Sequence, residues 1–83
     1  MMTLEHVELG HAARVVEIEG GRSVRSHLHN LGIYVGGAVV VVERAPFHGP
    51  VLIDVDGSRV ALGRGVARKI KVEADGMTRR LAG

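Results

Sequence analysis

Histidines and carboxylates are the side chains of this 83-residue chain that could bind a metal or move a proton. Three of them, His6, Glu8 and His11, lie close together in the sequence. Mixed nitrogen and oxygen ligands of this kind suit zinc or another divalent metal. The competing interpretation is three surface side chains near the start of the domain. These three are weak candidates, and we predict neither a resident metal nor any other cofactor.

Two further pairs are also poor candidates for chemistry. His27 and His29 are two positions apart on a predicted helix, so they point about 200° apart around its axis and cannot share a metal. Asp54 and Asp56 share one face of a predicted strand, about 7 Å apart. Paired carboxylates can perform acid–base catalysis, but the sequence predicts no nucleophile or base beside them in a cleft. We therefore predict that the chain is not an enzyme.

The sequence contains two glycine pairs, Gly20-Gly21 and Gly36-Gly37, and Gly63 and Gly65 flank one arginine. None is followed by the Lys-Ser/Thr of a phosphate-binding loop. They are typical of turns, and any nucleotide chemistry is expected in a partner instead.

Aromatic residues are scarce, with one tyrosine, one phenylalanine and no tryptophan. This scarcity argues against an aromatic groove for proline-rich peptides and against stacking platforms for single-stranded RNA. Phe47 lies in the loop Pro46–Pro50, where it is either an exposed apolar anchor or a lid over one end of the domain. The residues predicted to contact a protein partner are Arg22, Arg25, Tyr34, Phe47 and His48.

Charge and hydropathy narrow the class of partner. Eleven basic and nine acidic residues give a net charge of +2, and the two signs are interspersed, so a nucleic-acid partner is not indicated.

The longest apolar run, Ala38–Val42, is far shorter than the roughly 20 residues of a membrane helix. The first ten residues lack the apolar core of a signal peptide. We expect a cytoplasmic protein that does not insert into a membrane.

Short β-type segments separated by turn residues dominate the pattern. The predicted strands are Ala13–Glu19, Ala38–Arg44, Val51–Val55, a fourth with Val60 and Leu62 inward, and Lys69–Glu73. The unbroken valines of the second predict burial on both faces. Asp56-Gly57 predicts a tight hairpin turn. Before the first strand, Leu4 or Leu9 is expected to pack on the domain.

One helix is predicted, from Ser23 as a cap to Leu31. Val24, Leu28 and Leu31 fall on one face, and Gly32 is placed to end the helix. Residues 63–68 are short and glycine-rich, which favours a single 3₁₀ turn. The elements together predict a mainly β, SH3-like barrel of five to six short antiparallel strands with one inserted α-helix. A single domain with its core at about residues 4–73 and a frayed tail at 74–83 is expected.

An ordered set of segments resembles the FeoA family, the ferrous iron transport protein A domain. The set covers about residues 4–73 and includes Leu31-Gly32-Ile33, Gly49-Pro50-Val51, Asp56-Gly57 and Ile70-Lys71-Val72. The family is also similar to the C-terminal SH3-like domain of iron-dependent repressors. Two departures are Leu62-Gly63-Arg64-Gly65, where the family commonly has Leu-Arg, and an extension with Arg79-Arg80.

The resemblance implies a cytosolic regulator that binds FeoB, a membrane GTPase fused to a ferrous iron permease. It does not imply that this chain carries iron. The alternative is an SH3-like domain associated with nucleic acid, or one detached from an iron-dependent repressor. Retention on DNA or RNA that weakens steeply with salt would distinguish that alternative.

Overall fold

Six strands form one antiparallel sheet in the computed structural model, which describes residues 2–74. The strands follow the order β1-β6-β2-β3-β4-β5, so the last strand lies inside the sheet, between the first two. A nine-residue helix connects β2 to β3, and a short one connects β5 to β6. The elements are β1 (Met2–Thr3), β2 (Ala12–Ile18), α1 (Arg22–Asn30), β3 (Ala38–Arg44), β4 (Val51–Val55), β5 (Ser58–Leu62), α2 (Arg64–Ala67) and β6 (Ile70–Ala74). This is the predicted mainly β, SH3-like architecture.

Aliphatic side chains from every large element meet in one core. Leu4 is fully buried, whereas Leu9 is about half exposed, so the first of the two leucines packs on the sheet. The buried core side chains are Leu4, Val7, Ala13, Val15, Ile18, Leu28, Ile33, Val39, Val41, Val51, Ile53, Val55, Leu62, Ala67, Ile70 and Val72. Burial of this aliphatic surface is the main force that stabilises a small domain without disulfides.

Helix α1 packs on the core through the predicted face. Leu28 is buried, and Val24 and Leu31 are partly buried against the same cluster. The helix ends in a Schellman motif, in which the amides of Gly32 and Ile33 donate to the carbonyls of His29 and Leu28. Gly32 has φ +92°, and a Cβ there would lie 2.9 Å from Val55, so the predicted glycine stop is confirmed.

The start of α1 differs from the prediction. The helix begins at Arg22, its N-cap is Gly21, and no side chain caps it. Ser23 is therefore the second helical residue and is exposed rather than a capping residue. The extended backbone of Gly21 takes the cap position directly after the Gly20 turn, which moves the whole start two residues earlier than predicted.

Strand β2 contains a bulge that explains its imperfect alternation. Ala13, Val15 and Ile18 are buried, and the pairing register with β6 shifts between Val15 and Glu17. Val16, which the sequence pattern placed inward, is only half-buried. One extra residue at the bulge resets which side chains face the core and sharpens the bend of the strand.

The valine run of β3 is buried on one face only. Val39 and Val41 are buried in the core, whereas Val40 and Val42 are only half-buried, so the prediction of burial on both faces was wrong. In an antiparallel sheet one face commonly remains in contact with water. Val51, Ile53 and Val55 are buried on β4, and of the two predicted inward residues of β5, Leu62 is buried and Val60 is partly buried against the core.

Two connections complete the sheet. Asp56 and Gly57 both have positive φ, 51° and 85°, as a type I′ hairpin turn requires. Residues 64–67 form one α-helical turn instead of the predicted 3₁₀ turn, because the amides of Ala67 and Arg68 donate four residues back, to Gly63 and Arg64.

The C-terminal end of the sheet extends slightly beyond the predicted core. Ala74 pairs with Ala13 and so belongs to β6 rather than to the predicted tail. The remaining tail and Arg79-Arg80 lie outside the described residues. Within residues 2–74, no helix has the length and apolar character needed to cross a membrane.

Candidate protein-interaction surface

The turn between β3 and β4 displays the most exposed large apolar side chain of the described residues. Phe47 is 96% exposed, and both Phe47 and His48 have positive φ, 58° and 60°. The amide of Gly49 donates to the Pro46 carbonyl at 3.0 Å, which closes a four-residue turn of the I′ type. We call residues 46–49 the tip.

The exposure of Phe47 decides between its two predicted roles. A lid would have to cover core side chains, and a ring that is 96% exposed covers none. Phe47 is therefore an exposed apolar side chain and the lid interpretation is wrong, while its role as an anchor for a partner stays a prediction.

An arginine from α2 holds the two ends of the tip together. Arg64 donates through Nε to the Gly49 carbonyl at 2.8 Å and through one terminal nitrogen to the Ala45 carbonyl at 3.1 Å. Its side chain is only 17% exposed. The planar guanidinium suits this double contact, because it presents several donors in a fixed geometry. The sequence analysis singled out the glycines around Arg64 but missed this role, because no local pattern predicts contacts with residues 15 and 19 positions away.

Glu5, in the N-terminal segment, lies close to Arg64 and to Arg68, the residue that follows α2. One carboxylate oxygen is 3.9 Å from an Arg64 terminal nitrogen, and Arg68 donates to Glu5 at 3.2 Å. The Glu5 side chain is 12% exposed. The hydrogen bond from Arg68 lowers the pKa of Glu5, and the charges of Arg68, His6 and Arg64 lower it further against the opposing effect of burial.

The lowered pKa of Glu5 gives stability a defined pH dependence. The ionised carboxylate favours the folded state, so its contribution is complete above the unfolded-state pKa and is lost as pH falls through the lower folded-state pKa. Glu5→Gln should melt at a lower temperature than the wild type near neutral pH. That difference should shrink once pH drops below about 4.3, the ordinary glutamate value.

Melting curves of both proteins between neutral and acidic pH provide the measurement. Glu8→Gln is the matched control, because the Glu8 side chain is 78% exposed. Within residues 2–74 its one ion pair is with His11, at 3.5 Å. A pH-independent difference between wild type and Glu5→Gln would contradict the assignment.

The other predicted contact residues lie on and after α1. Arg22, Arg25 and His29 follow one another at three- and four-residue spacing, which places them on one side of the helix. All three are exposed. The His29 ring lies 5.6 Å from the ring of Tyr34, which is 46% exposed. The sequence analysis did not predict that the rings of His29 and Tyr34 lie close together, although the two residues are only five positions apart, across the glycine that ends the helix.

The structure divides the five predicted contact residues into two groups. Helix α1 and Tyr34 precede β3, whereas the tip follows its last residue. The connections therefore emerge at opposite ends of β3, a seven-residue strand that spans about 20 Å. The first group, Arg22, Arg25 and Tyr34, is the helix patch, and Phe47 and His48 belong to the tip. A partner that contacts both must reach along the length of β3.

A shallow apolar depression adjoins the tip. It has a volume of about 200 Å³, and its lining includes Ala45 and Pro50 at the base of the turn together with Leu52, Ala61 and Glu43. Apolar surface therefore extends from the base of the tip onto the outer face of β4 and β5, which favours a contact larger than a single ring.

The weak metal candidates do not converge on one point. His11 lies 3.5 Å from Glu8, but His6 lies 3.5 Å from Glu5 instead. Residues 2–74 contain no group of three or more histidine, aspartate or glutamate side chains arranged to hold a metal ion.

The paired aspartates have structural contacts. Asp54 Oδ1 accepts a 2.9 Å hydrogen bond from the Gly57 amide, and Asp54 Oδ2 lies 3.9 Å from Arg59. Asp56 occupies the first central position of the turn. The hairpin therefore accounts for the Asp54 carboxylate through its contacts and for Asp56 through its backbone position in the turn.

Comparison with known proteins agrees with this SH3-like β domain. The family described as "FeoA domain" matches residues 2–74. A protein named "Putative Fe(2+) transport protein A", from Methanocaldococcus jannaschii, is 36% identical over 73 residues, which are 88% of this chain and 87% of that protein. The chain belongs to the FeoA domain family.

Solved structures support the fold. The crystal structure of an iron uptake regulatory protein, FeoA, has a TM-score of 0.76 and 33% identity, over 87% of this chain and 93% of that one. The manganese-activated repressor ScaR has a TM-score of 0.80 at 22% identity, over 89% of this chain and 35% of the repressor. The second likeness concerns the fold alone.

Proposed function

We propose that this chain is a cytoplasmic accessory protein that binds the GTPase part of a FeoB-type ferrous iron transporter and regulates ferrous iron uptake. Family membership over residues 2–74 is the observation that carries the proposal. The iron transport and iron uptake names of two relatives, each covering most of this chain, agree with it.

The surface chemistry is consistent with a protein partner. An aromatic ring and arginines supply the anchors that concentrate binding energy in protein interfaces. The proposed contacts are the helix patch and the tip, namely Arg22, Arg25, Tyr34, Phe47 and His48. The interspersed charges of the chain offer no continuous basic stripe of the kind that phosphate backbones attract.

Binding to the isolated cytosolic domain of a FeoB-type transporter tests the proposal directly. Purified chain should bind that domain in calorimetry, and a strain lacking the chain should lose ferrous iron uptake that the intact gene restores. Absence of both effects would reject the proposed function.

The chain itself should hydrolyse no nucleotide. The Asp54 carboxylate is engaged in a hairpin turn, and the glycines of the chain lack the sequence of a phosphate-binding loop. Phosphate release from GTP by purified chain should equal that of a mock purification. Turnover that persists after removal of contaminating GTPases would overturn this prediction.

A further inference from the structure

The tip holds a phenylalanine in a backbone conformation that its sequence does not favour. Type I′ turns usually contain asparagine, aspartate or glycine at both central positions, because these residues tolerate positive φ. Here the two positions are Phe47 and His48, with φ of 58° and 60°. A bulky residue in this region is a true outlier, and such outliers persist only where the surroundings impose them.

The imposing contacts come from outside the turn. Arg64 donates to the carbonyls of Ala45 and Gly49, one on each side of the strained residues. The amide of Ala45 also donates to the Pro50 carbonyl at 3.0 Å. Gly49 has no room for a side chain, since a Cβ there would lie 2.7 Å from the Ala45 Cβ. Glu5 in turn restrains Arg64 through an ion pair, with a carboxylate oxygen 3.9 Å from the other terminal nitrogen of the guanidinium.

We infer that Arg64 is a positioning residue, which holds the tip in its strained conformation so that the Phe47 ring enters an apolar pocket of a folded protein partner. The inference rests on the proposed function for the identity of that partner. Arg64 itself, at 17% exposure, acts through the turn and not by touching the partner.

A protein pocket fits the tip better than a lipid surface. Membrane-binding loops combine apolar side chains with nearby lysines and arginines that attract anionic lipids. Residues 45–50 contain neither lysine nor arginine, and Phe47 is the only large apolar side chain among them. A fixed backbone also matters for a shaped pocket, whereas a fluid bilayer gains nothing from it.

Loss of Arg64 should lower the population of the binding-competent turn. Apparent affinity falls in proportion to that population, so relaxation of the two strained residues should weaken binding by about tenfold or more. Arg64→Lys should have an intermediate effect, because a single ammonium lacks the fork that reaches both carbonyls.

The experiment measures binding and turn geometry together. Calorimetry with the cytosolic domain of the transporter gives the affinity of wild type, Arg64→Ala, Arg64→Lys, Phe47→Ala and the double variant of Arg64→Ala with Phe47→Ala. Arg14→Ala, which removes an exposed arginine from β2, is the matched control. The rate of chymotrypsin cleavage after Phe47, followed by mass spectrometry, reports opening of the turn without any partner.

The expected result has three parts. Arg64→Ala weakens binding about tenfold and speeds cleavage after Phe47, whereas Arg14→Ala changes neither. Arg64→Ala adds no further loss in the Phe47→Ala background, since both changes then act on the same contact. If Arg64→Ala does not fold, Arg64→Lys carries the same three comparisons.

Other outcomes overturn the inference. Unchanged affinity or unchanged cleavage in a folded Arg64 variant refutes the positioning role. Additive losses with Phe47→Ala would mean that Arg64 contacts the partner itself. Phe47-dependent binding to phosphatidylcholine–phosphatidylserine vesicles would replace the protein pocket with a membrane. If wild type does not bind the transporter domain, the proposed function and the docking role both fail, and cleavage alone decides whether Arg64 holds the turn.

Discussion

Replacing Leu28 with alanine should lower the free energy of unfolding by about 2–5 kcal/mol, the range for a buried leucine truncated to alanine. Leu28 is fully buried and is the one buried residue of α1. The Leu28 carbonyl accepts a hydrogen bond from the amide of Ile33, another fully buried residue, within the Schellman motif that ends the helix. The truncation therefore leaves a cavity at the point where the helix is attached to the sheet.

Leu9→Ala is the matched control for Leu28→Ala. It removes the same atoms from a leucine that is 47% exposed, so its cost should stay within about 0.5 kcal/mol, as for other surface changes. Urea unfolding of both variants at equal slope gives the comparison. A cost below about 0.5 kcal/mol for Leu28→Ala would mean that the helix does not pack through this face.

Phe47→Ala should weaken binding to the transporter's cytosolic domain by at least about thirtyfold, the loss expected for an interface hot spot. The ring is 96% exposed in the free chain, so its removal takes nothing from the core. The thermal midpoint should consequently remain close to that of the wild type. Complementation of a ferrous uptake defect should be lost together with binding.

Arg25→Glu tests, in the same binding assay, whether the helix patch contacts the partner. Reversal of this exposed charge should also weaken binding without lowering the midpoint, if the partner reaches both ends of β3. Leu9→Ala again serves as the control. Full binding by both Phe47→Ala and Arg25→Glu would move the interface elsewhere on the sheet, and loss through only one of them would identify which end of β3 the partner uses.

Local periodicity accounts for most of the fold that could be predicted. The inward residues of β4, the buried face of α1 and the Asp56-Gly57 turn all depend on neighbours within a few positions, so the pattern of the sequence specifies them. The bulge in β2 could not be predicted in the same way, because it depends on how β6 pairs with Val15 and Glu17. Val40 was misplaced for a similar reason, since its exposure depends on what covers the sheet.

The sequence predicted which residues belong to the candidate surface, but not their exposure or their backbone conformation. Rarity of aromatic residues singled out Phe47 and Tyr34, and the predicted strand Ala38–Arg44 already separated them, but the exposure of both rings became clear only from the structure. The strained backbone of Phe47 and His48 contradicts local preference, and its cause is a long-range contact from Arg64. A functional turn that violates local preference is a place where sequence reasoning is expected to fail.

Strand β6 is the last strand in the chain but occupies an interior position, between β1 and β2. A growing chain on the ribosome can therefore form the β3-β4-β5 meander early, yet it cannot complete the sheet until Ile70–Ala74 has left the exit tunnel. Closure then requires pairing across nearly the whole length of the described chain, and such non-local pairing slows folding. A chain cut short before Ile70 therefore lacks the strand that pairs with both β1 and β2.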